Sequence, residues 1–137
     1  MKRLLLACAL ACMPAAALAG GPVSAPVLTT DQTVVGQPID VPQHPTVIAT
    51  VVTFQPGDKT AVHKHPYPHY GYMLEGTLTI VNTETGRSFD LKPGSFLVEM
   101  MDKWHYGENR GTVPVKILIV DQVPPGVTAN YLEQKPQ

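Results

Sequence analysis

Cysteine is missing from most of this 137-residue chain, because both of its cysteines, Cys8 and Cys12, lie within the first twelve residues. The remainder can form neither a disulfide framework nor a thiolate metal site. Helical periodicity is missing as well, since no stretch beyond residue 20 repeats apolar side chains at helical spacing over ten positions. The sequence also offers no serine, cysteine or lysine nucleophile signature. Stability must therefore come from a core built of short strands.

The first nineteen residues have the pattern of a secretory signal peptide. A basic start at residues 1–3 precedes an apolar run at 4–12, and Ala-Leu-Ala at 17–19 forms a small-x-small cleavage site. We expect cleavage after Ala19 and a secreted or periplasmic protein. Two alternatives stay open: a membrane anchor, for which the run is shorter than the ~20 residues needed, and a lipoprotein attached through Cys8 or Cys12.

Charge of one sign is not concentrated anywhere in the chain. There are ten Lys and Arg residues against eleven Asp and Glu, and loss of Lys2 and Arg3 with the leader leaves a net charge of −3. No basic stripe, like-charge run or alternation of basic and aromatic residues is present. We expect no nucleic-acid partner, and no membrane partner after cleavage of the leader.

Short β-branched segments are what the chain has instead, separated by Pro and Gly turns every eight to twelve residues. The predicted strands are 47–54, 70–74, 77–82, 87–91, 96–100 and 115–120. The last segment is so uniformly apolar that burial on both faces is expected. This pattern predicts an all-β sandwich or barrel. We divide the rest of the chain into an arm with one or two short strands (20–45), the β-barrel (46–123) and a polar tail (124–137).

Histidine is concentrated in one stretch, where His63, His65 and His69 lie within seven residues. On an extended strand the first two leave the same face, with backbones ~6.7 Å apart, so both imidazoles can bind one ion. Two intervening prolines interrupt regular pairing, so His69 is expected on a bend. His105 is expected in a loop further on. We interpret these four as one metal site and His44 as a surface loop residue.

The spacing of these histidines resembles that of the cupin superfamily. Residues 57–76 reproduce the family's first motif, G-x5-H-x-H-x3-E-x6-G, with His69 in place of the glutamate. Residues 94–109 follow the second motif, G-x5-P-x-G-x2-H-x3-N, with Met100 and Asp102 in place of the proline and glycine. The resemblance implies a single-domain jelly-roll β-barrel, also called a double-stranded β-helix, with a metal ion inside one end.

The same resemblance implies a set of ligands and a cofactor. The implied ligands are His63, His65, His69 and His105, and the implied turns are Gly57, Gly76 and Gly94. The cofactor would be one divalent transition metal; nitrogen ligation suits iron, zinc, nickel and copper, and manganese is not excluded. Because His69 replaces a glutamate, the ion's +2 charge is expected to remain uncompensated, which makes the site more electrophilic.

Several residues near the motifs have both a functional and a structural interpretation. Trp104 and Tyr70 are candidate substrate-binding residues, although aromatic side chains also pack at the rim of a core or along strands. Glu99 and Asp102 are candidates for carrying a proton or orienting a ligand histidine, but solvated loop charges are the favoured interpretation.

The expected function is a metal-dependent enzyme acting on a small organic molecule. The resemblance allows dioxygenases, decarboxylases, isomerases and lyases, and a fold does not choose among them. The alternative is a non-catalytic module that binds metal or a small ligand, as a closed tetrahedral site would favour. A domain that has lost its metal is a third, weaker idea. We also expect a homodimer, because exposed strand edges need covering.

Overall fold

The computed structural model describes residues 21–133, and the predicted signal peptide lies outside them. The strands are β1 (Thr46–Phe54), β2 (His63–Lys64), β3 (His69–Glu75), β4 (Leu78–Asn82), β5 (Ser88–Leu91), β6 (Phe96–Val98), β7 (His105–Glu108), β8 (Val115–Val123) and β9 (Leu132–Glu133). The described residues include no α-helix, and accordingly none with the length and apolar character needed to cross a bilayer.

The strands form two antiparallel sheets that enclose one core. One sheet has the order β1-β8-β3-β6 and the other β5-β4-β7-β2-β9. Met73 and Ile117 from the first sheet and Ile80 from the second are almost fully buried in the shared apolar cluster. This arrangement confirms the predicted all-β jelly-roll class, also called the double-stranded β-helix.

Strand β8 has one buried face and one partly exposed face. Val115, Ile117 and Ile119 are buried, whereas the alternate residues, such as Leu118 and Val120, are half-buried. The prediction of burial on both faces is therefore wrong. The uninterrupted apolar run concealed an alternation because the outward side chains of this sheet are themselves apolar.

The arm at residues 21–45 has no strand. In place of the one or two short strands predicted there, the arm has an isolated β-bridge between Gln32 and Pro38. The arm is nevertheless docked, because the Val34 N–H donates to the Val98 carbonyl at 2.8 Å and Val34 packs on the core. It thereby covers part of the free edge of β6.

The motif glycines sit where the backbone needs them. Gly57, Gly76 and Gly94 have φ angles of 85°, 71° and 82°. A Cβ at Gly76 would lie 2.6 Å from the carbonyl oxygen of Pro114, so any larger residue would clash there. Asp102, which replaces a motif glycine, also has a positive φ of 52°.

Strand pairing brings the two motifs together. His63 of β2 lies opposite His105 of β7, and His69 of β3 lies opposite Asp121 of β8. His69 and His105 each begin a strand, so the predicted bend and loop are wrong at these positions. The prolines do end β2, but the chain resumes pairing immediately after them.

Candidate metal centre

The four histidine rings come together at one end of the core. The centroids of His63, His65 and His105 lie 4.5 to 5.1 Å from one another. His69 stacks on His65, with centroids 3.7 Å apart and ring planes 4° from parallel. His63, His65 and His105 are each less than 7% exposed. The sequence-predicted residues thus lie together, although His69 joins the other rings through His65.

Two of the imidazoles are oriented by carbonyls two residues away. Nδ1 of His63 donates to the carbonyl of Ala61 at 2.8 Å, and Nδ1 of His105 donates to the carbonyl of Lys103 at 2.7 Å. A carbonyl oxygen only accepts, so Nδ1 must carry the ring proton in each case. The lone pair of Nε2 is then free to bind a cation.

The other two imidazoles are oriented by residues distant in sequence. Nδ1 of His65 donates to the backbone carbonyl of Asn130, 65 residues away. Nδ1 of His69 donates to the carboxylate of Asp121 at 2.7 Å. All four rings therefore hold the same tautomer. Metal-binding histidines are held in this way, by a carbonyl or carboxylate that accepts the other ring proton.

Glu99 lies among these rings. Its Oε2 is 3.1 Å from Nε2 of His105, 3.2 Å from Nε2 of His65 and 3.8 Å from Nε2 of His69. Glu99 is only 6% exposed. The interpretation of Glu99 as a solvated loop charge is therefore wrong, as is the expectation of a site without a compensating carboxylate.

A signal for Glu99 was present in the sequence. It lies between the buried Val98 and the fully buried Met100, directly after β6. A lone carboxylate inside an apolar run is expensive to bury unless it is paired or binds a cation. Asp102, considered beside it, is instead an exposed residue paired with Lys64 at 2.9 Å.

Three buried atoms at the centre have no hydrogen-bond partner of acceptable geometry: Nε2 of His65, Nε2 of His105 and Oε2 of Glu99. Their separations are short, but the directions do not suit hydrogen bonds. Two groups with metal-ligand spacing share His65, namely His63–His65–His105 and His65–His69–Glu99, each with its donor atoms within 4.8 Å of one another. Unpartnered buried nitrogens facing a carboxylate fit a bound cation.

The carboxylates of the centre are held ionised. Burial opposes ionisation of Glu99, but the neighbouring His69, His105 and His65 favour its carboxylate form and outweigh burial, so the pKa of Glu99 lies well below its usual value. Burial likewise opposes ionisation of Asp121, but its bond with His69 lowers its pKa. Both groups supply negative charge at neutral pH.

The pKa values of two of these histidines, His63 and His105, are shifted in opposite directions. Burial lowers the pKa of His63 to about 4, assisted by the nearby His105 and His65. Burial also opposes protonation of His105, but Glu99 outweighs it and raises the pKa of His105. His63 is therefore neutral, and able to bind a metal, over most of the pH range.

The C-terminal segment completes the centre. Strand β9 pairs with β2, and the ring of Tyr131 stacks on His63 with centroids 4.5 Å apart. The side chain of Asn130 bonds both backbone groups of Tyr67 and the carboxylate of Asp121. No sequence pattern indicated this role, because a short polar segment has no periodicity.

A cavity of about 400 Å³ leads to the centre. Its walls are mainly apolar, with the metal-site residues at one side. The residues that line the cavity are Ile48, Thr50, Val52, Phe54, Thr60, His63, His65, His69, Leu78, Ile80, Glu99, His105, Gly107, Ile117, Ile119, Asp121, Thr128, Ala129, Asn130 and Tyr131. Such a size and lining suit a small organic ligand.

Trp104 and Tyr70 are not among the described residues that line this cavity. The Tyr70 hydroxyl donates to Gln122 at 2.7 Å, and Lys64 lies over the Trp104 ring at 5.2 Å. Substrate contact by either residue stays a prediction.

Comparison with known proteins identifies a family and solved structures that are similar to about half to two thirds of this chain. The family described as "Cupin domain" matches residues 50–121. The polyketide cyclase RemF from Streptomyces resistomycificus aligns at a TM-score of 0.56 and 20% identity, over 66% of this chain and 62% of that chain. The oxalate decarboxylase of Lactobacillus farciminis aligns at 0.54 and 26% identity, over 64% of this chain and 26% of that chain. Curated protein sequences gave no match.

Proposed function

The chain belongs to the cupin domain family, and we propose on this basis that it is a metal-dependent enzyme acting on a small organic molecule. The observation that carries the proposal is the common orientation of the four histidines, whose Nδ1 atoms are all bonded to acceptors. Nε2 of each ring is thereby directed away from those acceptors and left for a cation. Glu99 adds a carboxylate beside them.

The residues that would hold the ion are His63, His65 and His105, joined by Glu99 and His69. A bound divalent ion supplies Lewis acidity, which polarises a substrate oxygen. Asp121 fixes the tautomer of His69, and Asn130 fixes that of His65. The ionised Glu99 offsets one positive charge of the ion.

The reaction class remains one of dioxygenase, decarboxylase, isomerase and lyase, because the fold does not determine the chemistry. The oxalate decarboxylase relative supports the decarboxylase class, but this chain spans only 26% of that protein. The cavity beside the donors supports action on a small molecule.

A non-catalytic binding module is the second candidate, and the number of donors favours it. Four imidazoles and one carboxylate are sufficient to close the coordination sphere of a transition metal. An enzyme of this type needs an open position, whereas a structural site does not.

Elemental analysis of the purified protein tests the metal, and cobalt substitution tests the open position. We expect about one equivalent of a divalent transition metal, lost in His105→Ala and retained in His44→Ala, the exposed histidine. We expect the cobalt protein to be five- or six-coordinate with bound water, and its visible spectrum to change on adding azide. A tetrahedral spectrum unaffected by azide would favour the binding module.

We further propose that the protein is exported and that it forms a homodimer. Export is supported by the leader pattern at residues 1–19, and N-terminal sequencing of the secreted or periplasmic protein should begin at Gly20. Dimerisation is supported by the uncharged edge strand β1, whose Val47 and Val51 are 59% and 56% exposed.

A further inference from the structure

In the part of the chain that the structure describes, the cavity is lined by acidic rather than basic side chains. Among the described residues that line it, none is Lys or Arg, and the charged groups are the carboxylates of Glu99 and Asp121. Enzymes that bind phosphates or dicarboxylates place Arg or Lys in the pocket, because these side chains match the anion's charge and geometry. Here any anion would meet two carboxylates.

The metal donors add no basic side chain of their own. The groups around the proposed ion are imidazoles and the carboxylate of Glu99, with the carboxylate of Asp121 bonded to His69. A dianionic ligand would therefore meet carboxylates on the metal side of the cavity and mainly apolar walls elsewhere.

Both sheets contribute apolar walls away from the metal donors. Val52 and Phe54 come from β1, Ile117 and Ile119 from β8, and Ile80 from β4. Apart from the donors, the polar groups are the hydroxyls of threonines and Tyr131 and the amide of Asn130. Burying apolar surface against such walls stabilises a ligand by ~25 cal/mol per Å².

We propose that the substrate is an uncharged organic molecule with an apolar, ring-sized body and one polar group directed at the metal donors. This inference rests on the proposed function, since it concerns the cavity of the same site. It argues against oxalate and sugar phosphates as substrates, because the described residues that line the cavity include no lysine or arginine to match their charge.

A matched pair of fluorescent probes tests the proposal with the metal-loaded full chain. N-phenyl-1-naphthylamine is neutral, and 8-anilino-1-naphthalenesulfonate has the same ring system with an added negative charge. We expect the neutral probe to bind at least about tenfold more tightly. Oxalate and glucose 6-phosphate at millimolar concentration should not displace it. Equal or tighter binding of the sulfonate, or displacement by either anion, would overturn the inference.

Two pairs of variants show whether the probe is in the cavity. Val52→Trp fills the cavity, so binding of the neutral probe should fall about tenfold, whereas Val51→Trp on the opposite face should leave it unchanged. Thr50→Lys places a cation in the cavity and should strengthen sulfonate binding about tenfold. Thr53→Lys, the same change on the outer face of β1, should not. Unchanged binding in Val52→Trp would place the probe elsewhere and refute the proposal.

Metal content distinguishes failure of this inference from failure of the proposed function. Elemental analysis of the same samples does not depend on the probes. A metal-loaded protein that prefers the sulfonate would refute the neutral substrate and leave the metal enzyme standing. A protein that binds no metal but prefers the neutral probe would remove the proposed function and retain the ligand class.

Discussion

Oε2 of Glu99 lies 3.1 Å from Nε2 of His105, and both residues are buried, with exposed fractions of 6% and 1%. This pair joins the end of β6 to the start of β7. Glu99, within the second motif, supplies negative charge to a site whose first motif carries His69 rather than a glutamate.

We predict that Glu99→Gln weakens metal binding about 100-fold, because it removes the charge that offsets the ion. Competition with a chelator measures the affinity. The control is Asp102→Asn, which changes an exposed carboxylate three residues away that contacts Lys64. Equal affinities for Glu99→Gln and wild type would mean that Glu99 does not act on the metal.

His69 should be the weakest of the histidine donors. It is absent from the His63–His65–His105 group and reaches the centre through His65 and Glu99. We expect His69→Ala to lower metal affinity about tenfold and His63→Ala to lower it more, whereas His69→Glu retains metal with an altered preference. The same chelator competition ranks them. Wild-type affinity in His69→Ala would remove His69 from the ligand set.

The free energy of unfolding of the metal-free protein should decrease as the pH is lowered from about 6.5 to about 4. Burial lowers the pKa of His63 in the folded protein to about 4. Over this pH range the histidine therefore binds a proton in the unfolded chain but not in the folded chain. The loss for this group is on the order of 3 kcal/mol at most. The lowered pKa values of Glu99 and Asp121 keep their contributions constant above about pH 4.5.

Urea unfolding across this pH range measures the effect. His63→Gln should flatten the pH dependence, whereas His44→Asn should not, because His44 is exposed and asparagine tolerates its φ of 51°. His105 does not produce the same slope, since its pKa is raised and its stabilisation is fully present below about pH 6.5. An unchanged slope in His63→Gln contradicts the assignment.

Asn130→Ala should destabilise the protein by about 3 kcal/mol. The buried side chain makes three hydrogen bonds, to the backbone N–H and carbonyl of Tyr67 and to Asp121, and each lost bond leaves a poorly solvated partner. Urea unfolding of the metal-free protein provides the value. Gln43→Ala, in an exposed loop, is the control. A loss below about 1 kcal/mol would show that the C-terminal segment is not anchored through this residue.

Val51→Lys should convert the expected dimer to a monomer. Val51 is 56% exposed on the free edge strand β1, and a lysine there opposes pairing with a second copy. Light scattering at micromolar concentration gives the mass. Val113→Lys is a matched control, because Val113 is 58% exposed but lies in a loop. A monomeric wild-type protein would refute the dimer itself.

Much of the fold could be predicted, because strand segments and turn glycines are local signals. The motif spacing also predicted that His63, His65, His69 and His105 lie together, and strand parity accounts for the first two. Glu99 was recognisable as a lone carboxylate within an apolar run, but its position beside the histidines depends on the pairing of β3 with β6, which is not a local signal. The role of Asn130 depends on a contact between residues 65 positions apart, which no local pattern reports.

The hydrogen bond from His65 to Asn130 makes the orientation of one candidate ligand depend on the C-terminal segment. A nascent chain interrupted before Asn130 contains every candidate ligand, yet His65 has no distant carbonyl to hold its ring proton on Nδ1. A synthetic peptide copying residues 57–76 would have the same defect, with three histidines free to exchange tautomers and bind metal as independent groups. The orientation of His65 is thus a property of the whole fold and is not carried by the motif alone.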